Sequence, residues 1–267
     1  MLFDDRTRAE SFGAVAELYD RARPSYPPEL IDTLLEDAPR HVLDVGCGTG
    51  IASALLAARG ADVLGIEVDA RMAEVARTKG LTVEVSSFER WDAQGRKFDL
   101  LTAAQSWHWI EPQAGAAKAA TVLRPAGQIA VFWNFGDPPP EARRQLAAVY
   151  ARLEPALESY AVVLGNHGAR GDATASALDR SGLFDPAKTR SFSWTTTYDT
   201  AAWLDFLATH SDHQTLPPER HDRLLAAVGE AIDALGGSIE IPYQTVLVSA
   251  RRHATEHQSA LAHGSPS

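Results

Sequence analysis

His41-Val42-Leu43-Asp44-Val45-Gly46-Cys47-Gly48-Thr49-Gly50-Ile51 reads as an apolar strand, a glycine-rich turn and the start of a helix. Missing side chains in such a turn let backbone N–H groups and a ligand approach closely. The glycines at 46, 48 and 50 follow a G-x-G-x-G spacing, and Ile51 stands where a dinucleotide fingerprint would place another glycine. No Gly-Lys-Ser/Thr is present in the turn, so a triphosphate has no lysine to rest on. Asp44 falls at the carboxyl end of the strand, where its carboxylate would repel a pyrophosphate but suit the ammonium of a methionine moiety.

Working outward, Gly65-Ile66-Glu67-Val68-Asp69 ends the next strand about 20 residues on, where doubly wound folds place an acid against ribose hydroxyls. Glu67 is expected to accept from the 2′ and 3′ hydroxyls, and Asp69 to cap the helix opening at Ala70. From Val42 the chain alternates β-branched runs with Ala-rich helical patterns, the signature of parallel βαβ units. Strands are expected over Val42–Val45, Asp62–Ile66, Thr82–Ser86, Phe98–Ala103, Gln128–Asn134, Lys188–Thr197 and Ile239–Ala250, the last antiparallel. Helices are expected over Ile51–Arg59, Ala70–Lys79, Pro112–Leu123, Glu141–Tyr160, Thr200–His210 and Pro218–Leu235, with a Gly-rich loop from Gly165 to Gly171.

At 267 residues and 45% hydrophobic, the chain can bury a full α/β core as one domain. A net charge of −10 gives no overall positive field to attract a phosphate backbone, so nucleic acid is not expected as a partner. One cysteine excludes an internal disulfide and a Cys-rich zinc site. The start of the chain lacks a basic region followed by an apolar run, and no long uninterrupted apolar stretch occurs, so a cytoplasmic protein without membrane contact is expected. Residues 253–267 are expected to be a disordered tail.

With these motifs in hand, the chain resembles the class I S-adenosylmethionine-dependent methyltransferases, and within them the type 11 and trans-aconitate methyltransferase-like groups. The resemblance covers residues 10–250. It rests on Leu43–Gly50, Gly65–Asp69, Phe98-Asp99-Leu100-Leu101, Gln105-Ser106-Trp107-His108-Trp109, and Phe12–Tyr19 with Arg23-Pro24-Ser25-Tyr26-Pro27. It implies a Rossmann-like, doubly wound seven-stranded sheet, mostly parallel with one antiparallel strand, covered by helices on both faces. Residues 1–40 become a helical lid, 41–252 the methyltransferase domain, and stretches around 136–185 and 199–237 substrate-shaping insertions.

The resemblance also implies S-adenosylmethionine as cofactor and S-adenosylhomocysteine as product. Its expected contacts are Tyr19, Arg23, Asp44, Gly46, Cys47, Gly48, Gly50, Glu67, Val68, Ser87, Phe88, Glu89 and Gln105, with Phe88 packing on the purine. Methyl transfer is a displacement at a sulfonium, and a base is needed only when the acceptor must lose a proton. His108 is the best base candidate, its other reading being a histidine packed against Trp109 and bonded to a backbone carbonyl. Trp107, Trp109 and His210 are candidate acceptor contacts, the tryptophans also fitting a packing role. Arg23 offers a bidentate fork to a carboxylate, either the cofactor's or an acceptor's. Cys47 fits a small packing residue better than a nucleophile. His167 and the Thr209-His210-Ser211-Asp212-His213 segment match no metal-site spacing, so no metal is expected.

The sequence therefore leads to methyl transfer onto a small organic acceptor, with oxygen favoured and a carboxylate or hydroxyl as the handle. The acting species is expected to be a monomer or homodimer. Two other readings stay open: the cofactor fold turned to lyase or cyclase chemistry, and a noncatalytic cofactor-binding regulator.

Overall fold

Alternate residues along the central strands belong to opposite cores. Val42, Leu100, Ala130 and Phe132 pack with one buried cluster, whereas Leu43, Leu101, Val131 and Trp133 pack with another. Strands apolar on both faces need helices on both faces, and the computed structural model, which describes residues 15–157 and 169–254, has that layering. Two helices precede the sheet, α1 (Ala16–Ala22) and α2 (Pro28–Leu34). Then come β1 (His41–Val45), α3 (Ile51–Ala57), β2 (Asp62–Glu67), α4 (Ala70–Thr78), β3 (Thr82–Val85), β4 (Phe98–Ala104), α5 (Pro112–Val122) and β5 (Leu123–Gly136). The carboxyl half adds α6 (Pro140–Leu153), α7 (Ala169–Ser181), β6 (Lys188–Asp199), α8 (Thr200–Ala208), α9 (Ser211–Gln214), α10 (Pro218–Ala234) and β7 (Ser238–Arg251).

The seven strands lie in the order β3-β2-β1-β4-β5-β7-β6, and β7 runs antiparallel to both neighbours. Parallel register places Asp44 opposite Gly65 and Thr102, so the ends of β1, β2 and β4 meet at one edge. The chain order changes direction beside β1, the crevice where ligands of open α/β sheets collect. A third apolar cluster fills the space between β6, β7 and helices α6, α8 and α10, where Tyr150, Trp203, Phe206, Leu224, Ile232 and Tyr243 pack.

Two local expectations need correction. The helix expected to reach Tyr160 ends at Leu153: Glu154 leaves helical geometry with φ −144° and ψ 66°, and Pro155 follows with a single 3-10 turn. Within the loop expected over Gly165–Gly171, residues 169–171 instead open α7, which the sequence reading missed. A Cβ at Gly171 would sit 3.6 Å from a Val246 methyl and 3.7 Å from one of Val248, ordinary contact distances that show the first turn of α7 lying on β7. Phe12 to Ala14, Tyr160, Gly165 to Gly168 and residues 255–267 lie outside the described residues.

Candidate active site

The turn after β1 has little room for side chains. Gly46, Gly48 and Gly50 hold φ values of +67°, +57° and +80°. A Cβ at Gly46 would lie 2.5 Å from the Ser106 Cβ, because the loop after β4 rests directly on the turn. Ser106 Oγ donates to the Val45 carbonyl at 2.5 Å, and the Gly46 and Cys47 amides both donate to Ile66 O at 2.8 and 3.0 Å. Cys47 is buried, and burial together with the Asp44 and Glu67 charges pushes its thiol well up. Opposite it, a Cβ on Gly65 would approach Sγ to 2.6 Å. Cys47 is thus a packing residue whose thiol stays protonated.

Asp44 is held from inside the protein. It is fully buried; Oδ2 accepts from Ser53 Oγ at 2.5 Å and Oδ1 from Thr102 Oγ1 at 2.8 Å. Burial raises its carboxyl while the two hydroxyls oppose the rise. Through these two bonds Asp44 braces β1, α3 and β4 around the turn.

Glu67 crosses from β2 to the same turn. Its Oε2 accepts from the Gly48 amide at 2.8 Å, and Oε1 accepts from the Val68 and Asp69 amides at 2.9 Å each. Burial raises this carboxyl and the three amides pull against the rise. Val68, next along, is partly exposed. Asp69 caps α4 as read, accepting from the Arg71 amide at 2.9 Å. Along the rim, the buried Thr49 Oγ1 and Ser87 Oγ have no hydrogen-bond partner. A buried hydroxyl left unpaired is costly, so both are receptive to polar atoms of a ligand.

The segment after β3 departs from expectation. Phe88 is buried in the core with its ring 6.0 Å from that of Trp107, and the Lys118 ammonium lies 5.6 Å from its centroid. It is therefore not an open platform for a purine. Glu89 is exposed, and only its carbonyl is engaged, accepting from Lys118 Nζ at 3.1 Å.

After β4, Gln105 adopts φ +58°, unusual for a residue with a side chain. Its amide donates to Phe132 O at 2.9 Å and its side chain to Asn134 O at 3.3 Å. Asn134 Nδ2 in turn donates to Ser25 O at 2.9 Å, tying the segment before β1 to the sheet. Trp107 is buried and Trp109 partly exposed, with the His108 and Trp109 rings 4.9 Å apart. Trp133 Nε1 donates to His108 Nδ1 at 3.4 Å, so the neutral imidazole carries its proton on Nε2. Burial, with the Arg170 charge second, lowers His108 to about 3. This geometry offers an N–H donor and no lone pair for proton removal, so the general-base expectation is not supported; the partner is an indole and not the carbonyl of the packing reading.

Beyond the glycine edge lies an aromatic chamber that the sequence reading identified only through Tyr19, Arg23 and His210. The Arg23 guanidinium sits 4.8 Å from the Tyr19 ring centroid and 5.4 Å from that of Phe206. Arg23 Nη2 donates to Thr209 O at 3.0 Å, while its buried Nε has no partner. Tyr198 and Tyr243 share a hydroxyl–hydroxyl bond of 3.0 Å, and Tyr150 Oη lies 2.8 Å from His213 Nε2. The His210 Nδ1 proton goes to Phe206 O at 3.0 Å, placing the neutral ring's lone pair on Nε2. Burial first, and the Arg23 charge among lesser causes, keeps both histidines neutral, His213 falling to about 4 and His210 well below its ordinary value. Ser25 and Tyr26, just after Arg23, are held on β5 by Asn134 and Phe132, and Asn134 also takes the Gln105 side chain from the loop after β4. Tyr150, Tyr198, Trp203, Phe206 and Tyr243 were missed in this role, whereas His213 falls in the Thr209–His213 segment already singled out; the one further signal was the aromatic spacing of Phe192, Trp194 and Tyr198 along β6. Among the described residues, no group of three His, Cys, Asp or Glu side chains is placed to hold a metal ion, and His167 lies outside them.

Comparison with known proteins places this geometry. The family described as a methyltransferase domain matches residues 42–127. An uncharacterized methyltransferase of Mycobacterium tuberculosis strain H37Rv is 30% identical over 252 residues, 92% of this chain and 97% of the relative. The chain belongs to the class I S-adenosylmethionine-dependent methyltransferases. A trans-aconitate 2-methyltransferase of Methylobacterium radiotolerans is 28% identical over 232 residues, 80% of this chain and 85% of that protein. A solved structure described as a type II methyltransferase from Anaeromyxobacter dehalogenans shares the fold, with a TM-score of 0.60 and 21% identity over 87% of this chain and 99% of that one.

The methyltransferase thus presents two adjoining regions. One is a glycine turn with the Glu67 carboxylate across it and two unpaired hydroxyls at its rim. These features fit a ribose-bearing, uncharged-edge ligand such as S-adenosylmethionine, whose hydroxyls and amine could meet Glu67 and Ser87. The other is the chamber around Arg23, joined to the first by α1. Helix α1 is tied to α4 through the Asp20–Lys79 ion pair and to α8 through Arg21 and Asp205 at 3.9 Å.

Proposed function

We propose that this methyltransferase transfers a methyl group to an oxygen, carboxylate or hydroxyl, of a small organic acceptor. When bound, S-adenosylmethionine supplies an electrophilic methyl: the acceptor's lone pair forms the new bond to carbon as the C–S pair returns to sulfur, leaving S-adenosylhomocysteine. Gly46, Gly48, Gly50 and Glu67 hold the ribose end, Thr49 and Ser87 satisfy polar edges, and Val68 and Gln105 flank them. Tyr19, on α1, closes the methionine end from above. Trp109 and His108 form the wall beside the transferred group, with His108 Nε2 donating to an acceptor oxygen.

The observation that carries this reading is the aromatic chamber, which adjoins the glycine turn and contains one arginine among neutral tyrosines and histidines. Its histidines are uncharged at neutral pH, and an acceptor oxygen that is already ionised needs no base. The similarity to a protein named trans-aconitate 2-methyltransferase agrees with an acidic small molecule. With a net charge of −10, nucleic acid is a poor partner. No helix among the described residues is long and apolar enough to cross a membrane. The acting species in this proposal is a cytoplasmic monomer or homodimer.

The test is an acceptor screen with methyl-labelled cofactor against small acids, phenols, alcohols and amines, run beside bulk nucleic acid and histone-like protein. Labelled small oxygen acceptors are expected. Label confined to polymers overturns the reading, as does cofactor cleavage without transfer, which is the lyase alternative. Tight cofactor binding with no turnover on any class points to the noncatalytic regulator.

A further inference from the structure

We infer that the chamber around Arg23 is a recognition site for the carboxylate of a monoanionic acid with an apolar body, and that Tyr198 and Tyr243 help select it. The inference rests on the methyltransferase reading above and names the acceptor class for it. Three observations carry it. First, Arg23 has a buried Nε without a partner, and its guanidinium meets two aromatic faces and one carbonyl; among the described residues no carboxylate pairs with it. A guanidinium so placed lacks the charged partner that its fork geometry favours.

Second, other unsatisfied nitrogens belong to the same aromatic cluster. Trp203 Nε1 and His213 Nδ1 are buried without partners. Trp203 meets Tyr198 edge to face and Phe206 at a tilt, with centroids 5.3 Å apart in each case, and His213 lies 5.8 Å from His210, whose ring meets Phe206 at 4.6 Å. The indole is a donor only, and when Tyr150 donates to His213 Nε2, Nδ1 also carries a proton. Unpaired donors in one aromatic cluster with a cation whose Nε is buried suit an anion, and the aromatic walls disfavour a heavily charged or hydrated body.

Third, Arg23 is the one charged side chain among the cluster residues named above. Burial drives Tyr198 and Tyr243 up, so both stay protonated, and their 3.0 Å bond leaves one of the two hydroxyl protons to be donated elsewhere. A single guanidinium with neutral donors matches one carboxylate. Methylation of that carboxylate would cancel its charge and weaken its hold on Arg23, which favours release of the ester. The acceptor chemistry balances without a base: one carboxylate oxygen gains the methyl, and no proton leaves.

The competing occupant of Arg23 is the cofactor's own carboxylate, so the test uses protein saturated with S-adenosylhomocysteine, in which that position is filled. Calorimetry would measure binding of benzoate, 3-phenylpropanoate and octanoate, each against its primary amide. At least one acid is expected to bind about tenfold tighter than its amide, the scale of one charge-assisted contact. In Arg23→Gln this preference is expected to vanish while S-adenosylhomocysteine affinity stays within about threefold, and Arg23→Lys is expected to keep part of it. Tyr243→Phe and Tyr198→Phe are expected to narrow the preference without loss of helical circular dichroism. Acids that bind no better than amides overturn the inference. So does an Arg23→Gln variant that loses S-adenosylhomocysteine and keeps its acid preference. Failure of the unmodified protein to bind S-adenosylhomocysteine at all would overturn the methyltransferase reading as well.

Discussion

Glu67 Oε2 and the Gly48 amide lie 2.8 Å apart, so the end of the second strand is hydrogen-bonded directly to the glycine turn that follows the first. The contact fixes the turn's shape and presents a carboxylate at the crevice, preorganising the position where ribose hydroxyls would bind. Replacing Glu67 by Ala is expected to weaken S-adenosylhomocysteine binding by about 1–3 kcal/mol, since buried hydroxyls and the Gly48 amide lose an ionised acceptor. Titration calorimetry reads the change; an affinity unaltered in Glu67→Ala would remove this residue from the cofactor.

Asp44 predicts a different signature. Because its oxygens accept only from Ser53 and Thr102 and it has no exposed surface, Asp44→Ala should cost stability more than cofactor contact. Two buried hydroxyls would lose their acceptor, a loss of about 1–3 kcal/mol for each. Urea unfolding is expected to show the drop, with Ser53→Ala and Thr102→Val each recovering less than the full effect. A variant as stable as the parent with weakened S-adenosylmethionine binding would favour the ammonium-facing role.

The contrast between these two acids shows how far sequence reading extends. The strand–turn–helix at 41–51 and the acid at 67 were legible because glycine spacing and strand period are local properties of the chain. The Thr102 bond that helps hold Asp44 comes from 58 positions away, and Phe88 became core because Trp107 packs on it. The chamber was still less legible. Its Arg23–Thr209 bond joins residues 186 positions apart, and Tyr198 and Tyr243 meet only through the pairing of β6 with β7. Helix α7 escaped for a local reason, since Gly171 reads as a loop residue until the sheet beneath it is known.

His108 is expected to act as a donor. His108→Gln, which keeps an N–H at the end of its side chain, should retain more turnover than His108→Ala, with cofactor affinity similar in both. With the imidazole held near 3, kcat should be flat between about pH 6 and 9 as far as this residue is concerned. Initial rates across that range check it. An acidic limb near pH 6.5 that disappears in His108→Gln would return the residue to a base role.

The last prediction concerns acid stability. His213 is fully buried, and its imidazole falls to about 4 mainly through burial, with the His221 and Arg23 charges adding to the effect. A histidine whose folded value lies below its unfolded value binds its proton more readily when the chain unfolds. The stability it contributes is therefore complete above about pH 6.5 and is lost as pH falls from there toward 4. One such group gives a slope of up to about 1.4 kcal/mol per pH unit, or roughly 3 kcal/mol across the window. Asp44 and Glu67, whose folded values are raised, act in the opposite sense, so the comparison must be made between proteins that share them. In His213→Gln, which keeps a polar partner for Tyr150 but cannot titrate, unfolding free energy at neutral pH should drop because the packing is imperfect. Its further fall between pH 6.5 and 4 should be shallower than the parent's by about the amount above. Denaturant melts at closely spaced pH values measure both slopes, and parallel curves would show that His213 already titrates normally in the folded chamber.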